Sequence, residues 1–421
     1  MGHITSQASP AIRISEPTHR LYDSSFVIAL TSQTCFVIAN TLMAHYSRWV
    51  EFLGGSLQQI GWVMGIGSMM GLLLRPTMAQ WINRIGARSM WALGYMVFAI
   101  SAFANLVLVD VGILIYLLRS LLFLGAAIVF SSSLTYISQT APADRRTEAI
   151  GILGVGGFLG MLVGPLLGDL LLGPGARDRA GFSMLFVSAA IANLVAFSLL
   201  LFLPRPVRNG PKRSVALRDF VATSIQHWPG MILLIDFAFG VCMTVPFIFL
   251  AAFIDGSPLR IEGVSVIGLF FWCYAGVAIA VRLGFRRLPD RVGPKRVLIV
   301  GAMFMSFGMF SYLLVNNEQP WAIVIPALLT GAGHGLMFHT MTSLTVARFP
   351  HEVQGTGSVW ALMMLDLGTI AGAPALGVIG QHFGFQTMFV AVGVSCLLAI
   401  ACYSLTTLGP AKPIRPASGD A

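Results

Sequence analysis

Long apolar runs, separated by short polar loops, dominate the chain. Runs long enough to cross a bilayer as helix, which takes about 20 residues, fall at roughly 25–46, 58–80, 89–109, 111–137, 149–172 and 183–203. A second set falls at roughly 229–254, 264–285, 297–315, 321–347, 355–377 and 385–407. The pattern predicts an all-α integral membrane protein of twelve spanning helices. The longest polar interval lies between the two sets and divides the chain. The expected organisation is a tail over 1–24, a six-helix bundle over 25–203, a linker over 204–228, a second bundle over 229–407 and a tail over 408–421.

Composition agrees. Of 421 residues, 56% are hydrophobic and 10% charged, against about 25% charged in a soluble domain. The polar surface is too small to cover such a chain in water, and twelve spans leave no room for a soluble catalytic domain. The first 23 residues lack the apolar core of a cleavable signal, so the first span is expected to serve as the insertion signal. All five cysteines fall in apolar stretches without a CxxC pair, which argues against a disulfide framework or a metal site.

A net charge of +9 would suit nucleic acid on a soluble protein, but here the basic residues sit in short loops between spans and read as topology signals. With the N-terminus inside, 21 Lys and Arg fall on the inner side and four (Arg48, Arg177, Arg179, Arg260) on the outer, with Arg119 inside a span. Both termini are therefore expected in the cytoplasm, and the short loops and lean tails point to a bacterial inner membrane.

The two halves echo each other, as secondary transporters do. An offset of 207 places Arg75 on Arg282, Arg84 on Arg291, Gly86 on Gly293, Arg88 on Lys295 and Gly94 on Gly301; an offset of 208 places Pro142 on Pro350 and Gly164 on Gly372. The fold class is thus two pseudo-symmetric six-helix bundles.

Two loops carry a motif. Asn83-Arg84-Ile85-Gly86-Ala87-Arg88 follows the second span and Asp290-Arg291-Val292-Gly293-Pro294-Lys295 the eighth. A glycine permits a tight turn, the cations hold the loop on the inner side, and a carboxylate can face a helix N-terminus. These segments resemble the loop motif of the major facilitator superfamily, Gly-x-Leu-Ala-Asp-Arg-x-Gly-Arg-Arg. The first copy has Asn83 where the family has Asp, so the charge-based latch the resemblance implies is in doubt in that half; Asp290 retains it in the second.

In the fifth span, Gly160, Gly164, Pro165 and Gly168 match the superfamily's Gly-x-x-x-Gly-Pro-x-x-Gly-Gly, with Asp169 replacing the last glycine. The resemblance implies the proton-antiporting efflux branch. Glycines at this spacing clear one helix face for close packing, and ordinary small-residue packing is the competing reading. Gly368, Gly372, Pro374 and Gly377 echo it in the eleventh span. Arg119 followed by Gly125 partly resembles the family's fourth-helix motif, linked to proton transfer.

Charges inside spans are costly and mark function or pairing, and desolvation moves a carboxylate toward protonation in the working range. Asp366, near the middle of the eleventh span, and Asp236, in the seventh, are therefore the expected proton carriers, with Arg119 as a third coupling candidate. Structural ion pairing is the alternative for Asp366. Asp169 and Asp255, near span ends, read as interfacial. Gln33 and Asn40, seven apart on one face of the first helix, and His334, His339 and Trp360 are candidate substrate contacts. His45 is a weaker candidate. Phe239, Met243, Phe247, Trp272, Tyr274 and Met364 either line an apolar pocket or are helix packing.

The expected function is export of a small amphipathic solute, drug-like or metabolite, by alternating access and proton antiport, with no catalytic residues, metal or cofactor. The expected partners are the solute, protons and the lipid bilayer, not nucleic acid, and the chain is read as a monomer. An importer or facilitator of a sugar, nucleoside or organic anion is the first alternative. A transport-inactive sensor or an intramembrane enzyme is the remote one.

Overall fold

The structure, a computed structural model, describes residues 22–142, 145–173, 177–205, 217–285, 288–350 and 353–407. The expected tails, apart from residues 22–24, and residues 206–216 of the linker lie outside these.

The described residues form eleven apolar helical stretches long enough to span a bilayer. We label them α1 (Ser24–Phe52), α2 (Leu57–Ile85), α3 (Ala87–Val107), α4 (Ile113–Thr140), α5 (Arg146–Leu172), α6 (Arg179–Leu200), α7 (Ile232–Gly256), α8 (Val266–Gly284), α9 (Pro294–Leu314) and α10 (Pro320–Val346). The last stretch, Gln354–Thr407, is two helices broken at Gly384, whose φ of +81° reverses the chain. It supplies α11 (354–383) and α12 (385–407), which completes the expected twelve.

Several helices outrun the apolar runs that predicted them. α2 continues to Ile85, where Gly86 takes φ +101°, and α1 continues through a 3-10 turn at Met43–His45 to Phe52. In α7, Pro246 has no N–H to give, and the ladder widens there to a π-turn over Val245–Phe249. Within the linker region, Leu217–Gln226 is an additional helix that the sequence did not announce.

Large apolar side chains face outward all along the spans: Ile100, Phe103, Val107, Leu170, Phe202 and Leu405 are all exposed. Lipid is the solvent for this surface, so burial gives no apolar gradient, and helices associate through close packing. Hydroxyls on these helices bond back to carbonyls four residues earlier, as Thr31 does to Val27 (2.9 Å) and Ser198 to Leu194 (2.9 Å), so that these donors are satisfied within the helix.

Glycines set the closest approaches. A Cβ on Gly160 would lie 2.6 Å from Val37 of α1, and one on Gly164 would meet Thr41 and the Ile38 carbonyl. The echo repeats in the second half, where Gly368 of α11 lies against Phe237 and Gly240 of α7. The halves meet along α2 and α11, where Gly61 and Gly65 face Ala373 and Pro374, and along α5 and α8, where Gly268 faces Leu166.

Candidate functional site

The start of α1, the ends of α6 and α12 and the loops at Gly86, Ala141, Phe285 and Phe349 lie at one end of the bundle, here the basic end. The other end is closed by an ion cluster. Arg48 of α1 donates from Nε to Asp255 Oδ2 (2.9 Å) and from Nη2 to Asp255 Oδ1 (3.0 Å), while its Nη1 reaches Asp169 of α5. Arg177 donates to Asp255 Oδ1 (2.6 Å), and Ser265 donates to Asp169 Oδ2 (2.6 Å). The cluster therefore ties α1 and α5 of the first half to α7 and the start of α8 in the second. Asp169 and Asp255, read as interfacial from their places near span ends, are thus partners in a cluster whose members lie 121 and 207 residues apart in sequence.

His45 belongs to the same cluster. Arg48 Nη1 lies 2.9 Å from its Nδ1, and its Nε2 lies 2.8 Å from the Pro165 carbonyl. A guanidinium only donates and a carbonyl only accepts, so His45 is the neutral Nε2–H tautomer. The α5 motif thus contacts this cluster directly: Gly168 leaves room for the His45 ring.

Nearer the basic end a second ion pair joins the halves. Arg75 of α2 donates from Nε to Asp366 Oδ2 of α11 (2.7 Å), with Nη2 at 2.5 Å, and both side chains are buried. Arg75 therefore lies inside a span, not in a loop as the charge count assumed, and so does Arg282, while Arg48 is buried. Removing these three leaves 19 basic residues against three, so the end-to-end bias survives.

Asp236 is fully buried one turn into α7. Its Oδ2 accepts from Thr345 of α10 (2.8 Å), its Oδ1 has no hydrogen bond, and no basic residue pairs with it among the described residues. Arg119 of α4 also lacks a carboxylate partner among them. Its Cζ lies 4.7 Å from the Tyr46 ring centroid, and its buried Nε has no acceptor, so the ring face holds the charge.

Between the halves at mid-depth, His334 of α10 is hydrogen-bonded to the Tyr274 hydroxyl of α8. Its ring stands edge-on to Phe158 of α5 (5.2 Å), Phe239 of α7 (5.2 Å) and Phe338 (5.7 Å). Of the aromatic candidates, Phe239 and Tyr274 thus line this cluster. His339 is at the adjoining edge, its ring 5.4 Å from Phe338. Gln33 is buried with Oε1 unpaired; Asn40 is half-buried on the same helix. Trp360 stands apart: it donates to Ser224 (2.7 Å) and stacks on Phe220, docking the linker helix onto α11. Sequence reasoning passed over Phe158, whose ring meets His334 of α10 across the two halves.

In the loop motifs, Gly86 and Gly293 take φ +101° and +91°, a region open to glycine. Arg88 caps α6 by donating to the carbonyls of Leu200 (3.2 Å) and Leu201 (2.9 Å). Arg84 and Arg291 are exposed. The side chains of Asn83 and Asp290 lie outside the described residues.

The family model of the Major Facilitator Superfamily matches residues 24–373 and 285–420. The chain belongs to that superfamily of transporters and is an integral membrane protein. It is similar to the multidrug resistance protein MdtG of Dickeya zeae, 28% identical over 65% of this chain, and spans 66% of that relative's length. It is 28% identical to MdtG of Citrobacter koseri over 69% of this chain and 71% of that protein. In fold it matches the xylose transporter XylE from E. coli (TM-score 0.73, 14% identity, 94% of this chain and 98% of that one). It also matches the nucleoside transporter NupG (TM-score 0.70, 15% identity, 91% and 100%).

Proposed function

We propose that the protein exports a small amphipathic organic solute in exchange for protons, by rocking its two bundles about the cluster around His334. The basic end faces the cytoplasm, as the positive-inside rule requires, in a bacterial inner membrane. The observation that carries the reading is the Arg75–Asp366 pair: an acid that links the halves by its charge unlinks them when it takes a proton, which couples proton uptake to rocking. Asp236, buried without a cation, is the second proton carrier, and Arg119 sets the field on the α4 side. Gln33, Asn40, His334 and His339 contact the solute. The latch of Arg48, Asp169 and Asp255 holds the outer end shut while the inner end receives it. Relatives named as multidrug resistance proteins support an efflux direction and a tolerant, apolar pocket.

The test is transport by the purified protein in proteoliposomes, with a mixed metabolite and drug library read by mass spectrometry. The expected result is a compound that accumulates inside only when the lumen is acidic. Equal entry with and without the gradient would make the protein a facilitator and overturn the antiport reading.

A further inference from the structure

The internal repeat exposes a broken symmetry. Under the offset of 207, Arg75 corresponds to Arg282, and each lies eleven residues before the motif glycine, Gly86 or Gly293. Under the offset of 208, Asp366 corresponds to Phe158. The α2–α11 contact thus carries a cation with its acid, whereas the equivalent α8–α5 contact has the cation but a phenylalanine at the sequence position of the acid.

The cation is held inside the fold. The Arg282 guanidinium presses on Gly154 of α5, where an added Cβ would lie 2.6 Å from Nη1 and 2.8 Å from Nη2. Gly154 is one helical turn from Phe158 on the same face. Among the described residues no carboxylate pairs with it and no acceptor receives its N–H groups. A half-buried guanidinium between helices, with five donors and no acceptor among the described residues, is a ready partner for an anion that completes it. One turn along α5 from Gly154 stands the aromatic cluster of Phe158, Phe239, Phe338 and Tyr274 around His334.

We propose that Arg282 is the anion-binding subsite of the solute chamber, so that the solute is an amphipathic organic anion: a carboxylate held by the Arg282 fork, with an aromatic or apolar body against the rings around His334. The carboxylate takes the place that Asp366 occupies beside Arg75. This rests on the transport reading for the word solute, but the subsite itself is a statement about binding.

The experiment is therefore equilibrium binding to the full-length protein in detergent, using a panel of aryl carboxylates each paired with its neutral carboxamide. For at least one pair the wild type is expected to bind the acid at least 10-fold more tightly than the amide. Arg282→Gln abolishes that preference, and Arg282→Lys keeps part of it, since a point charge replaces the fork. Phe158→Asp rebuilds the missing pair and abolishes it too. Equal affinity for acid and amide across the panel, no acid bound at all, or a preference that survives Arg282→Gln would overturn the proposal. The preference without gradient-driven transport would leave the subsite standing and remove only the antiport reading. Gradient-driven transport of solutes bound without any acid preference would do the reverse.

Discussion

Arg48 of α1 grips Asp255 of α7 through two donors, at 2.9 and 3.0 Å, across the boundary between the halves. The arginine is almost fully buried while Asp255 and Asp169 keep about a fifth of their side chains exposed (22% and 21%). Removing Arg48 leaves Asp255 with Arg177 and Asp169 with the Ser265 hydroxyl, and because water also reaches both acids, the cost sits at or below the lower end of the buried-pair range, about 3 kcal/mol. Arg48→Ala is expected to open this end: a cysteine placed on the neighbouring loops becomes reactive to a membrane-impermeant maleimide from the outside. Unchanged labelling would show that the cluster is no gate.

The pair of Arg75 and Asp366 is more deeply buried, with side-chain exposures of 10% and 2%. Either single change, Arg75→Gln or Asp366→Asn, strands a partner in a low-dielectric interior at a cost of about 3–5 kcal/mol. The double variant strands no charge. Melting temperatures in detergent are expected to fall further for each single variant than for the double one; additive losses would show that the two act independently.

These relationships differ in how far they were legible from the chain alone. The spans, the turn glycines and the α5 motif were, because each is a local property: an apolar run, a φ only glycine takes readily, a helical spacing. Ion-pair partners were not. Asp366 was singled out as a buried acid, but its cation, 291 residues earlier, was counted as a loop charge because the apolar run of α2 ended only five residues beyond it. Asp169 and Asp255 looked interfacial for the same reason, since position near a span end says nothing about which other helix end lies opposite. Trp360 looked like a pocket residue, yet its partner, the linker helix, lies in a segment too short and polar to be seen as structure.

Asp236 separates coupling from folding. Its carboxylate accepts one bond from Thr345 and has an unpaired Oδ1, so Asp236→Asn preserves shape, accepts the same bond and cannot carry charge. The variant is expected to fold with a melting temperature within a few degrees of wild type, to exchange solute down its gradient, and to lose at least 10-fold in accumulation driven by an acid lumen. Wild-type accumulation would remove Asp236 from the coupling scheme.

The glycines of α5 offer a contrast within one helix. A Cβ at Gly157 would meet nothing within 4 Å, whereas one at Gly164 would meet Thr41 and stand 2.8 Å from the Ile38 carbonyl, which as backbone cannot turn aside. Alanine lowers the conformational entropy of the unfolded chain at either site, so Gly157→Ala is expected to be neutral or stabilising by up to about 1 kcal/mol. Gly164→Ala instead forces α1 away from α5, an overpacking cost of about 1–3 kcal/mol. It also shifts His45 and Arg48 on the same helix, so transport should fall with stability. Melting temperature and initial transport rate, measured on both variants in parallel, check this: equal effects would mean that the α1–α5 contact tolerates a methyl group and that the glycine face is ordinary packing.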